Sequence, residues 1–172
     1  EFGLGQNVNE LRKDGNLRGI FMYSKKWPRN HPRFGSIALV TPETRITVQD
    51  YWRRDTAFSE AQHDMWDVFS ATGRLPFYNY GPTPDGMSSP AALGILLSLA
   101  PAESRTVVFY LTWYFPNFEK YWEAVPGCCG KTAKIRKNPV WKNYYAAQFK
   151  DAFDVARKLH RNEQRLRSET QT

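Results

Sequence analysis

The sequence predicts a mainly β protein: a partial antiparallel β-sandwich with one short helix and a long C-terminal helix. Three observations lead there. Aromatic residues make up 15% of the 172 residues, and aromatics suit the pleated, half-buried surface of a strand. Residues 45–51 and 105–114 alternate in the period-2 pattern of strands. Residues 143–172 carry a long apolar stripe at spacings of three and four, the mark of an amphipathic helix.

The elements follow in order. Residues 1–34 read as irregular, punctuated by Gly3, Gly5, Gly15 and Gly19. They hold one short strand at 17–23, before a basic loop at 25–33 that contains Pro28 and Pro32. Residues 35–40 (GSIALV) form a strand. Thr41-Pro42-Glu43-Thr44 is a turn, with Pro presetting one corner, and residues 45–51 return as the second strand of a hairpin. A short helix follows, with Ser59 and Gln62 spaced as a capping box. Its Met65, Trp66 and Phe69 share a face that reads as core, and Gly73 can end it. Residues 76–90 (PFYNYGPTPDGMSSP) form a long loop with no element of its own. Residues 91–99 read as a strand buried on both faces, and residues 105–114 as the strongest strand, the two pairing antiparallel. In the latter, Val107, Phe109, Leu111 and Trp113 face one way, and Val108, Tyr110, Thr112 and Tyr114 the other. Residues 115–142 are loop, with a basic run at 131–137. The chain ends in a helix from about 143 to 167, striped by Tyr145, Phe149, Ala152, Phe153, Ala156, Leu159 and Leu166. This divides the chain into a β segment, 1–142, and a basic amphipathic linker helix, 143–172.

Composition narrows the function. A chain of 172 residues, 41% hydrophobic and 24% charged, has the balance of a globular domain. No transmembrane segment is present, because the best apolar stretch, 91–102, is far short of the roughly 20 residues a bilayer needs. Cys128 and Cys129 are adjacent, a strained geometry for a disulfide. With His31, His63 and His160 scattered, they make no metal site. The chain opens Glu1-Phe2 without an initiator Met, as an excised piece or a cloning remnant does, and no targeting segment is visible. The net charge is +7, all of it in residues 131–172, where 11 Lys and Arg face 4 Asp and Glu. Acids interleave that tail at salt-bridge spacing, so no nucleic acid is expected as a partner.

Among catalytic motifs there is no glycine-rich phosphate loop, nucleophile elbow or zinc-binding helix, and no cofactor is implied. Asp64 and Asp67 lie one helical turn apart beside Met65 and Trp66. Paired carboxylates near aromatics are groups that glycoside chemistry uses, although two acids on one short helix more often face solvent or hold a loop. Trp52, Tyr78 and Tyr80 are candidate platforms for the apolar face of a sugar ring.

Four segments taken together resemble glycoside hydrolase family 116, the non-lysosomal glucosylceramidase or bile-acid β-glucosidase family. They are GSIALVTP at 35–42, MWDVFSATGRL at 65–75, FYLTWYFPN at 109–117 and KNYYAAQFKDAFDVA at 142–156. The resemblance lies in the later part of the family's N-terminal β domain and spans about residues 15–170. It implies a β-sandwich followed by an (α/α)6 barrel that carries a Glu nucleophile and an Asp acid/base. No position here matches those catalytic motifs. The chain therefore reads as a non-catalytic segment, its catalytic residues none, its partner the parent's (α/α)6 domain. Tyr145, Phe149, Phe153 and Leu159 are the candidate docking residues, and a glycoside or glycolipid is the parent's substrate. The rival readings are a free-standing carbohydrate-binding module and an anion-binding module working through the basic tail.

Overall fold

The computed structural model describes residues 5–55, 57–120 and 139–170. Its centre is a four-stranded antiparallel sheet made of β1 (Asn7–Asp14), β2 (Leu17–Ser24), β3 (Ser36–Thr41) and β6 (Tyr110–Tyr114), in the order β1-β2-β3-β6. A two-stranded sheet of β4 (Ile46–Gln49) and β5 (Ala92–Ile95) lies against β2. A small ladder joins β7 (Asn117–Glu119) to β8 (Val140–Lys142). Two α-helices complete the described chain: α1 (Phe58–Thr72) and α2 (Ala152–Thr170). The mainly β, antiparallel class is the one the sequence predicts.

Beyond β7 and β8, which pair within residues 115–142 that the sequence reads as loop, the pairing differs from the sequence reading in three places. Residues 1–34 contain a second strand, β1, in full register with β2 from Asn7↔Ser24 to Asp14↔Leu17. Its sequence, NVNELRKD, lacks alternation, because it is an edge strand held by polar contacts. The Arg12 guanidinium lies 3.5 Å from the Phe21 ring centroid, and Arg12 also pairs with Glu10 and Asp151. Gly15, at φ 58°, makes the two-residue turn possible. Second, β3 and β4 are not a hairpin. Both edges of β3 are occupied, by β2 and β6, so the chain after Thr41 crosses to the other layer and β4 pairs with β5. Third, β5 therefore does not pair with β6, and its residues are half-buried rather than covered on both faces.

The strongest predicted strand is also shorter than its alternation, because only Tyr110–Tyr114 is in the ladder. The register Val40↔Tyr110 would next place Pro42 opposite Val108. Proline has no N–H to donate, so the ladder stops, and the Thr41 hydroxyl donates to the Val108 carbonyl instead, at 2.7 Å. The parity of the run is as read: Tyr110, Thr112 and Tyr114 are buried while Phe109, Leu111 and Trp113 are exposed.

The core lies between the sheet and α2. Leu17, Phe21, Ala38, Val40, Tyr110 and Tyr114 meet Ala152, Phe153 and Ala156 there. Phe153 is 2% exposed, so it fills this chain's own core and offers no face to an outside domain. Tyr145, Phe149 and Leu159 pack at the core's margin and stay partly exposed. The helix starts later than its stripe suggests. A 3-10 turn, Tyr144–Ala147, precedes it, and Asp151 caps it by accepting the Asp154 N–H at 2.8 Å. The spacing Asp151-x-x-Asp154 carries that signal in sequence. Ser36 Oγ accepts the Ala152 N–H at 3.0 Å, and the Thr112 hydroxyl donates to the Ala152 carbonyl at 2.7 Å, which pins the first turn to the sheet. Asp151→Ala is expected to cost about 1 kcal/mol from the lost cap, read as a lower urea midpoint with α2 still formed; an unchanged midpoint would refute the cap.

Helix α1 also corrects the sequence reading. Its N-cap is Ala57 without a side-chain cap bond, so Ser59 and Gln62 do not form the expected box. Trp66 is 60% exposed and Phe69 is exposed beside it, at 6.1 Å between ring centroids. The helix instead turns Ala61, Asp64, Met65 and Val68 inward. Gly73 does end it, with its N–H bonded to the Phe69 carbonyl at 2.7 Å.

Part of the tail's charge is matched within the molecule. Arg157 pairs with Asp14 and Asp154, Arg165 with Glu169 and Arg167 with Glu163. The basic run 131–137 and both cysteines lie outside the described residues. No described helix is long and apolar enough to cross a membrane.

Candidate functional site: the tyrosine cluster on Asp50 and Asp64

The site begins at the end of β4. Burial of Gln49, Asp50 and Tyr51 carries the chain under the long loop, with Asp50 only 2% exposed. Its carboxylate accepts two consecutive backbone N–H groups from that loop, from Tyr78 at 2.9 Å and Asn79 at 2.8 Å. Asn79 adopts φ 51°, a conformation that Asn tolerates better than most residues. The kink sets Tyr78 and Tyr80 in parallel, with centroids 5.2 Å apart and planes 3° from coplanar.

Each tyrosine is then held from outside. The Tyr78 hydroxyl donates to Asp64 Oδ2 of α1 at 2.5 Å, and Arg53 approaches the other oxygen of Asp64 at 3.7 Å. Arg54 lies 4.9 Å from the Tyr80 centroid and 4.5 Å from that of Tyr51, close enough for cation–π attraction. It also donates to the Gly81 carbonyl at 2.6 Å. The Tyr51 hydroxyl accepts the Asn9 N–H of β1 at 2.9 Å. The loop's far end is tied down as well. Thr83 exchanges backbone bonds with Gln6 and Asn7, Gly5 N–H donates to the Met87 carbonyl, and Trp52 N–H donates to Ser89 Oγ at 3.0 Å. Residues 76–90 have no helix or strand, as the sequence suggests, and form a strap bonded along its length.

The structure brings Asp64, Tyr78 and Tyr80 into one cluster. Trp52 is half-buried and tied to the strap's other end, while Asp67 is exposed on α1. Asp64 is committed to a tyrosine and an arginine, so it acts here as an anchor for the strap. Tyr80 is stacked on Tyr78 and covered by Arg54, which leaves little ring face for a sugar. The sequence reading missed Asp50, Tyr51 and Arg54. Their signal was an acid and an aromatic directly after a half-buried strand, facing a Gly- and Pro-rich loop.

Two phenols are strongly perturbed. Burial, reinforced by the bond to Asp64, pushes Tyr78 up to about 12 from 10.0. Burial and a bond to Glu163 of α2 push Tyr110 up to about 12, and Tyr110 also meets His160 Nδ1 at 2.9 Å. A raised folded value means that the native state holds these protons longer. Their stabilisation is therefore complete below about pH 10 and is lost as pH rises to about 12. A phenolate absorbance titration of the native protein is expected to show a late step near pH 12 that shrinks in Tyr78→Phe; an unchanged late step would contradict the assignment.

With the geometry in place, the comparison with known families decides the affiliation. A family described as "beta-glucosidase 2, glycosyl-hydrolase family 116 N-term" matches residues 3–166. The chain belongs to this family. The match is to the family's N-terminal domain. The matched span takes in every strand, α1, most of α2 and the whole Asp50–Tyr80 cluster. No curated protein matches the chain.

Proposed function

We propose that this segment is a non-catalytic support for a catalytic (α/α)6 domain in a retaining β-glucosidase. The parent would act on β-glucosides or glucosylceramide-like glycolipids, and the segment would help shape the entrance to the catalytic barrel. The observation that carries the reading is an uncovered apolar margin on β6, within a chain of this family. Leu111 and Trp113, 60% and 61% exposed, border a groove of about 360 Å³ with Tyr145, Phe149 and Leu159. Three of the four docking candidates thus share one groove with two large apolar side chains, and exposed apolar surface of this kind marks interaction sites. In this reading residues 1–142 form the supporting body and 143–172 lead on toward the barrel. The roles of Trp52, Tyr78, Tyr80, Asp64 and Asp67 toward a sugar have less support, because the cluster's polar and ring faces are spent on the strap.

The test expresses this chain with the parent's catalytic domain as separate polypeptides. The pair is expected to associate and hydrolyse an aryl β-glucoside, and the chain alone to release nothing. Trp113→Glu is expected to weaken association while leaving the chain folded. Glucose release by the chain alone, or association indifferent to Trp113→Glu, would defeat the proposal.

A further inference from the structure

A second cleft, lined by residues of β1, β2, β3 and β6 and by the chain just before α2, is basic. It encloses about 340 Å³, at the lower end of the size range of small-molecule sites. Four of its lining residues are cations: Arg12 of β1, Arg29 of the loop after β2, Lys142 of β8 and Lys150 just before α2. Phe34, Tyr114 and Pro116 supply its apolar walls.

Charge pairing within the cleft is incomplete. Arg12 is matched by Glu10 at 2.7 Å and Asp151 at 3.1 Å, and Asp151 is further engaged as the cap of α2. Among the described residues, no carboxylate lies within ion-pair distance of Arg29, Lys142 or Lys150. Four cations against two carboxylates leave a surplus of two positive charges. That contrasts with α2, where three arginines pair with acids on the same helix.

We propose that this cleft binds a phosphate group. A phosphate monoester carries roughly −1.5 to −2 charge near neutral pH, which matches the surplus. It also presents several acceptor oxygens to donors from three separate segments of the chain. A neutral sugar would leave the cations unmatched, and a single carboxylate would match only part of them. Guanidinium and ammonium groups together suit this ligand, with Arg29 giving a planar fork and Lys142 and Lys150 giving point charges. Free phosphate and phosphate borne on a sugar or a lipid headgroup present the same chemistry to the cleft.

The experiment titrates inorganic phosphate into the intact 172-residue chain at constant ionic strength and follows backbone amide shifts by NMR. Saturable binding is expected, with shifts centred on residues lining the cleft. Because charge-assisted bonds are the strong ones, the double variant Arg29→Gln/Lys142→Gln is expected to weaken binding about tenfold or more. Both side chains are exposed, so the variant should keep its native unfolding midpoint, and that is measured alongside. Arg161→Gln, on the exposed side of α2, is the charge control and should bind as the parent does. A hexose phosphate and vesicles containing an anionic phospholipid form the further arms; preference for either supports the site and names its source. Shifts that do not saturate, or equal weakening by Arg161→Gln, would overturn the proposal in favour of diffuse attraction to a basic surface. Neither result bears on docking to a catalytic domain, which Trp113→Glu tests separately.

Discussion

Gly19→Ala is expected to remove a large part of this chain's stability. Gly19 sits inside β2, opposite Arg12 on one side and Val40 on the other. A Cβ there would stand 2.1 Å from the Leu39 carbonyl oxygen and 2.7 Å from Val40 Cα, at φ +156°. Both obstacles are backbone atoms of β3, which is itself held between β2 and β6. No flexible side chain can give way, so either the ladder opens or β3 is displaced from α2. The expected cost is about 4 kcal/mol or more, against a total stability of about 5–15 kcal/mol for an ordinary domain. Urea unfolding of the soluble fraction measures it. Gly15→Asn is the contrasting change. Gly15 also has positive φ, at 58°, but nothing lies within 4 Å of its added Cβ, and Asn tolerates that conformation. Its midpoint should move by less than about 1 kcal/mol. A Gly19→Ala midpoint equal to that of Gly15→Asn would show that the close approach of β2 and β3 is wrong.

Asp50→Ala is expected to be nearly as severe, and more local in form. The substitution strands the Tyr78 and Asn79 N–H groups beneath the strap. Each lost bond to the charged carboxylate costs about 1.5–3 kcal/mol, less at the exposed Asn79, so the sum is about 2–6 kcal/mol. For a chain of this size that lowers the melting temperature by roughly 5–15 °C. The strap should loosen before the sheet does, because the sheet's ladders do not pass through Asp50. Hydrogen exchange at Tyr78 and Asn79 should quicken most, with β2 and β3 still protected, and proteolytic cleavage should appear within residues 76–90. Asp50→Asn should fall between the two, since it keeps one acceptor oxygen and turns an amide donor toward the other N–H. Protection at Tyr78 and Asn79 that survives Asp50→Ala would mean that Asp64 and Arg54 alone hold the strap.

These two positions mark the limit of what local pattern conveys. Alternation correctly assigned Tyr110, Thr112 and Tyr114 to one face and Leu111 and Trp113 to the other, because side-chain parity is a local property of an extended chain. It did not identify the strand's length, which ended where Pro42 came opposite it. Hydrophobicity marked Met65, Trp66 and Phe69 as one core face. The fold instead turned Ala61, Asp64, Met65 and Val68 inward and left Trp66 outside, since Asp64 had a tyrosine to meet on that side. Strand β1 was not legible, because its support comes from Arg12 against Phe21 and Asp151, distant in sequence. The Asp50 cradle was hidden for the same reason: its bonds reach 28 and 29 residues ahead.

By itself the sequence determined the mainly β class, most strand and helix positions, the side-chain parity of β6 and the four segments that resemble family 116. Those properties depend on residue type and near-neighbour spacing. Only the tertiary structure decided which strand pairs with which, where the aromatics are exposed and how Arg29, Lys142 and Lys150 come to share a cleft. Strand pairing uses backbone N–H and C=O groups that nearly every residue carries, so an apolar alternating run specifies a face without specifying a partner. Partners are set when all the faces are buried at once, and that competition involves the whole chain.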